Sequence, residues 1–159
     1  MPQSNEVTHG TYRDRAARLQ GAMKELAFQA VVLEPGPAMA YLTSVRWGKS
    51  ERTFAAVLPA MGEMLWVVPA FEEMRARELI YQGDDVRAWQ EDESPYERIV
   101  AGLKDRGVIT GRVGIDEAAR FFVFDGIRNL APQFEYVSAT RVLKAAGVDL
   151  APAARRASH

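Results

Sequence analysis

Short apolar runs rich in β-branched residues alternate with helix-period segments along this chain, and that interleaving leaves few folds open. Ala30-Val31-Val32-Leu33 is such a run, closed by Glu34-Pro35-Gly36-Pro37, and reads as a buried strand ending in a turn. Residues 53–58 and 64–68 are two more, separated by a loop of hairpin length, and predict an antiparallel pair. Upstream, Tyr12, Ala16, Leu19, Met23 and Leu26 recur at three- and four-residue spacing, which places them on one face of an amphipathic helix. A short helical turn is expected over 39–42. A further helix is expected over 70–81, with Glu72 and Glu73 near its positive end and Gly83 after its last turn. A strand through Val86 and Trp89 follows.

Ser94-Pro95-Tyr96-Glu97 is the sharpest local signal: serine as N-cap, proline at the first helical position and glutamate at the third make a capping box. The helix it opens runs to about Arg106. Residues 112–116 read as a strand, 124–130 as a helix and 134–137 as a last strand. This order predicts an α/β fold, a mixed β-sheet of about six strands with one antiparallel hairpin, flanked by helices on both faces.

At 159 residues and 48% hydrophobic, the chain can bury one core, so a single domain is expected over 11–142. Residues 1–10 read as a flexible N-terminus and 143–159 as a divergent, frayed tail. The formal net charge of -1 gives no field for nucleic acid or an anionic membrane surface. No apolar run reaches the roughly 18 to 20 residues of a membrane span, and the N-terminus lacks the apolar segment of an export signal, so a cytoplasmic protein is expected. The absence of cysteine excludes disulfides, thiolate metal sites and a cysteine nucleophile.

Catalytic signals are sparse. The two histidines are His9, before the first helix, and His159, the last residue, which argues against a histidine-based triad. Gly48-Lys49-Ser50 lacks the upstream glycine of a phosphate cradle. Asp84-Asp85 and Glu91-Asp92-Glu93 sit at element ends, where capping and solubility explain acids best. Asp116-Glu117 stands at a strand end, a place from which a carboxylate can face a cleft. Phe121, Phe122 and Phe124, beside a helix start, read as core.

The order of elements, with a set of short motifs, resembles the N-terminal domain of the creatinase, prolidase and Xaa-Pro aminopeptidase family of pita-bread metallopeptidases. The residues that carry it include Arg18-Leu19, Ala30-Val31-Val32-Leu33 with Pro35-Gly36, Met39 with Tyr41-Leu42-Thr43, and Arg46-Trp47-Gly48 with Ser50-Glu51-Arg52. Pro69-Ala70-Phe71-Glu72 continues the likeness. Trp89-Gln90-Glu91-Asp92-Glu93-Ser94-Pro95-Tyr96 and Gly114-Ile115-Asp116-Glu117 look like the aminopeptidase branch.

The resemblance implies a creatinase N-terminal-like sheet domain with a ribonuclease H-like motif, which does no hydrolysis itself. It implies a role in oligomer contacts and in walling an active site, with self-association or a full-length metallopeptidase subunit as partner. The family's two divalent metal ions belong to a C-terminal domain that lies outside this sequence, so no cofactor is expected here. Arg52 matches an arginine that projects toward substrate in some members, and its guanidinium suits a carboxylate. Trp47 can anchor a partner, and Arg46, Lys49 and Glu51 complete the loop expected to face substrate or partner. The alternatives are a truncated part of an Xaa-Pro aminopeptidase or dipeptidase, and a stand-alone small-molecule binding domain.

Overall fold

The computed structural model describes residues 8–150. Within them the chain runs α1 (His9–Glu25), β1 (Phe28–Leu33), α2 (Pro37–Thr43), β2 (Ala55–Pro59), β3 (Leu65–Pro69), a 3-10 turn (Ala70–Glu72) leading into α3 (Glu73–Leu79), β4 (Asp85–Trp89), α4 (Pro95–Asp105), β5 (Gly111–Ile115), α5 (Phe121–Leu130), β6 (Phe134–Ser138) and α6 (Thr140–Ala145). The strands form one mixed sheet in the order β4-β3-β2-β1-β5-β6. β2 and β3 make the expected hairpin, and β2 is also antiparallel to β1, whereas β1, β5 and β6 run parallel, as do β3 and β4.

Period-two alternation along β1, β2 and β3 sends side chains to opposite faces, and both faces are dry. Val31 and Leu33 join Leu19, Met23, Met39, Leu42, Trp66 and Leu143 beneath α1, α2, α3 and α6. Val32, Leu65 and Val113 join Ile99, Leu103, Val123 and Ile127 beneath α4 and α5. Each fully buried aliphatic side chain of this kind contributes about 1.5–3 kcal/mol, which explains why β1 to β3 read as continuous apolar runs rather than half-exposed strands.

Buried polar groups are tied into this frame. Trp66 Nε1 donates to the Gln82 carbonyl at 3.0 Å, and the buried Gln82 amide donates to the Leu42 carbonyl at 2.6 Å. Trp89 Nε1 donates to the Thr53 carbonyl at 2.9 Å, fixing the end of the loop that leads into β2. Ser94 caps α4 as expected, its Oγ accepting from the Tyr96 and Glu97 backbone N–H groups at 3.2 Å each.

Several expectations are corrected. α1 begins at His9, with the Thr8 side chain accepting from the Thr11 N–H, so the ordered fold starts before residue 11. At the other end α6 crosses the expected boundary at 142, and Leu143 and Val148 are buried in the core with α1 residues. Residues 143–150 therefore belong to the packed domain, because removing them would uncover Leu19 and Met23; 151–159 and residues 1–7 lie outside the described residues. The helix expected over 70–81 is a 3-10 turn followed by a helix that stops at Leu79, with Ile80 already extended. Gly83 lies beyond it, in the turn into β4. α5 begins at Phe121 rather than at 124.

Candidate functional site

The pairing registers put the C-terminal ends of β1, β3, β4, β5 and β6 and the N-terminal end of β2 along one edge of the sheet. Arg46, Trp47, Lys49, Glu51 and Arg52, the loop residues singled out from the sequence, sit on that carboxyl edge. The loop 44–54 occupies one part of it. Trp47 stacks on Phe54 at 4.3 Å between ring centroids, and Phe54 in turn meets Trp66 edge-on at 6.0 Å, so Trp47 is half-buried and anchored to the core.

Arg52 is held by acids: its Nε donates to Glu91 at 2.6 Å and its Nη1 lies 3.5 Å from Glu51. The hydrogen bond it donates to Glu91 raises the Arg52 pKa above its ordinary value. Its guanidinium also sits over the Phe71 ring, 4.8 Å from the centroid. Phe71 is 70% exposed and Met74, at the start of α3, is 81% exposed, while Arg75 lies over the Trp47 ring. An apolar surface rimmed by arginines results. Arg46 is solvent-facing, and Lys49 turns away from this group to donate to the Ala118 carbonyl at 2.5 Å. The structure thus brings together Trp47, Glu51 and Arg52 and sends Lys49 toward the neighbouring part of the edge.

That neighbouring part joins Asp116, named from the sequence, to Glu34 and Arg120, whose pairing the sequence did not show. Glu34 follows β1 and is fully buried, and its carboxylate accepts from the Arg120 backbone N–H at 2.8 Å and from Arg120 Nη2 at 2.6 Å. Gly36 lets the β1 and β5 loops touch, since a Cβ there would lie 2.9 Å from the Ala118 Cβ. Asp116 follows β5 and is 4% exposed; Oδ1 accepts from the Ala118 N–H at 3.1 Å. Burial pushes its carboxyl above the usual carboxylate range, against the pull of the Ala118 and Glu34 amides and the Lys49 charge. Phe121 and Phe122 are exposed at this edge, which corrects the reading of them as core. Tyr136 donates to the Ala131 carbonyl at 2.6 Å, and desolvation pushes its hydroxyl up to about 12.

A raised carboxyl binds its proton more tightly folded than unfolded. The ionised Asp116 therefore costs stability above its folded pKa, and the cost vanishes as pH falls below the ordinary carboxylate value. Asp116→Asn is expected to stabilise the protein by about 1 kcal/mol at neutral pH, with the gain shrinking toward zero near pH 3. Urea denaturation at both pH values checks this; a destabilised variant, or a gain independent of pH, would contradict it.

Among the described residues, no group of three or more His, Cys, Asp or Glu side chains is placed to hold a metal ion. His9 stacks on Tyr81 at 3.5 Å between centroids, and His159 lies outside the described residues. No helix among the described residues is long and apolar enough to cross a membrane.

Comparison with known proteins places this architecture. The chain is 31% identical over 144 residues to an uncharacterized peptidase of Schizosaccharomyces pombe, a match that covers 80% of this chain and 31% of that protein. Among solved structures, the prolidase of Thermococcus sibiricus superposes with a TM-score of 0.75 at 23% identity, covering 84% of this chain and 36% of the other. The creatinase/prolidase N-terminal domain of an X-Pro dipeptidase from Streptococcus pyogenes superposes with a TM-score of 0.65 at 18% identity, covering 78% of this chain and 99% of that domain. The chain thus spans about a third of the length of the peptidases it matches and nearly all of the isolated domain. The model of the creatinase/prolidase N-terminal domain matches residues 15–146, running past the boundary at 142 drawn from the sequence. With the mixed six-stranded sheet and its two helical layers in agreement, the chain belongs to the creatinase/prolidase N-terminal domain family.

Proposed function

We propose that this chain is the non-catalytic domain of a prolidase-like peptidase system in the cytoplasm, acting by oligomerisation and by walling the active site of a partner metallopeptidase subunit. The observation that carries the reading is the surface around Phe71 and Met74. Two large apolar side chains stand exposed at the carboxyl edge, next to the anchored Trp47 and the Arg52 pair. A rigid aromatic, an arginine and neighbouring apolar groups are the residue types that dominate association energies.

In this reading Trp47, Phe71 and Met74 make the contact. Arg46, Glu51 and Arg52 give it charge complementarity, and Lys49 ties the loop to the β5 end of the edge. Hydrolysis is left to the partner. The purified chain is expected to release no proline from Xaa-Pro dipeptides above a metal-only blank when manganese, zinc or cobalt is added. Turnover that copurifies with the chain and is abolished by chelation would instead make it a peptidase in its own right.

A further inference from the structure

The sheet ends in two edge strands, β4 and β6, and their outward main-chain groups meet different fates. At β4 they are taken. Arg77 Nη2 donates to the Val86 carbonyl at 3.3 Å, Arg98 Nε donates to the Ala88 carbonyl at 3.1 Å, and the Val86 N–H donates to the Asp84 carbonyl at 3.0 Å. Glu73 and Glu93 hold the two arginines in place, at 2.8 Å each. An edge covered in this way leaves an incoming strand little to pair with.

At β6 they are open. The Ala139 N–H donates to the Ile115 carbonyl at 2.8 Å, which points Ala139 toward β5. Alternation then points Glu135 and Val137 toward β5 as well, and turns the main-chain N–H and C=O groups of Phe134, Tyr136 and Ser138 outward. Among the described residues no side chain bonds to any of these outward groups. The strand, Phe134-Glu135-Tyr136-Val137-Ser138, has neither proline nor lysine to blunt it, and its one charge, Glu135, pairs with Arg112 of β5 at 3.4 Å. Rings extend the edge on the α5 side: Tyr136 meets Phe124 at 5.5 Å and Phe124 meets Phe121 at 5.9 Å between centroids, with Phe121 68% exposed.

An extended main chain is what complements such an edge, and β6 complements itself. Two copies set antiparallel about a two-fold axis at Tyr136 bring Tyr136 opposite Tyr136 and Phe134 opposite Ser138, so every outward N–H and C=O meets a counterpart. Glu135 then stands opposite Val137, and the two Tyr136 rings make an aromatic cross-strand pair. An axis at Glu135 would set like charges against each other, and one at Val137 would leave Phe134 unpaired. We propose that β6 docks on β6 of a second copy in this register, joining two sheets into one. Five residues of pairing bury too little for a dimer at micromolar concentration, so this contact forms in the millimolar range or within an assembly held elsewhere. It lies across the sheet from Phe71 and Met74, which follow β3.

Isotope-filtered NMR on the Phe71→Ser, Met74→Ser variant, half labelled and half unlabelled at millimolar concentration, tests this. Intermolecular NOEs between Phe134 and Ser138 and between the two Tyr136 residues are expected, with the Phe134, Tyr136 and Ser138 amides shifting on dilution. Tyr136→Lys puts like charges on the axis and should weaken pairing severalfold, whereas Tyr136→Phe should pair as before. Ser138→Pro, at an exposed position, removes an outward N–H that the sheet does not use and should also weaken it severalfold. Retained amide dispersion shows that each variant is folded. Absence of intermolecular NOEs at β6, NOEs that place another segment of the same molecule or another surface there, or pairing unchanged by both Tyr136→Lys and Ser138→Pro would each overturn the proposal. Because the background lacks the Phe71 and Met74 side chains, the outcome is independent of association through them.

Discussion

Arg120→Ala is expected to destabilise the protein by about 3 kcal/mol, read as a shift in urea midpoint at neutral pH. Glu34 is completely buried, and its carboxylate is held by the Arg120 guanidinium at 2.6 and 3.3 Å as well as by the Arg120 backbone N–H. Truncation leaves the backbone bond but removes the cation, stranding a charge inside the sheet edge. That stranded charge, rather than the lost attraction, supplies most of the effect. Arg120→Lys should recover only part of it, because an ammonium cannot reproduce the guanidinium fork. Adding Glu34→Gln to Arg120→Ala should restore at least about 1 kcal/mol, since a neutral amide is then buried in place of a charge. A loss for Arg120→Ala no larger than about 0.5 kcal/mol would mean the pair is a surface contact.

The second large effect is expected on association. Phe71→Ser with Met74→Ser removes the two most exposed apolar side chains beside the loop 44–54, at 70% and 81% exposure. Neither side chain is part of the buried clusters, so the fold should tolerate the change. Self-association, or binding to a full-length metallopeptidase subunit, is expected to weaken at least about tenfold, or about 1.4 kcal/mol. Equal binding by the double variant would move the contact surface elsewhere.

The elements legible in the sequence are those defined by local chemistry. α4 announces itself through Ser94 and Pro95, and that cap is present. β2, β3 and the Ala30-Val31-Val32-Leu33 stretch of β1 are apolar on both faces and read as buried strands. The start of α5 was hidden because Arg120 offers no side-chain cap, its N–H going instead to a carboxylate 86 residues away. Glu34 was masked by its own surroundings, since Glu34-Pro35-Gly36-Pro37 reads as an exposed turn and only the distant Arg120 makes it a buried ion pair.

The C-terminal boundary was readable after all. Leu103-Lys104-Asp105-Arg106-Gly107-Val108 ends α4 with the Val108 N–H on the Leu103 carbonyl and the Gly107 N–H on the Lys104 carbonyl. Leu143-Lys144-Ala145-Ala146-Gly147-Val148 ends α6 with the same two bonds, and both glycines sit at positive φ, +78° and +77°. This is the Schellman stop with its apolar contact. A segment that repeats it belongs to a packed helix rather than to a frayed tail. The loop 44–54 reads in the sequence as one group of charges, but the structure divides it, because Lys49 reaches a carbonyl 69 residues away while Arg52 stays with Glu51 and Glu91.

Sedimentation velocity of the purified chain across the micromolar range, alongside the Phe71→Ser, Met74→Ser variant and with a full-length metallopeptidase subunit of the same family added in parallel, tests the account most directly. The expected result is a sedimentation coefficient that rises with concentration or with the added subunit, and a variant that stays at the monomer value in both series. A chain that remains monomeric at every concentration and ignores the added subunit would contradict an association role for this edge.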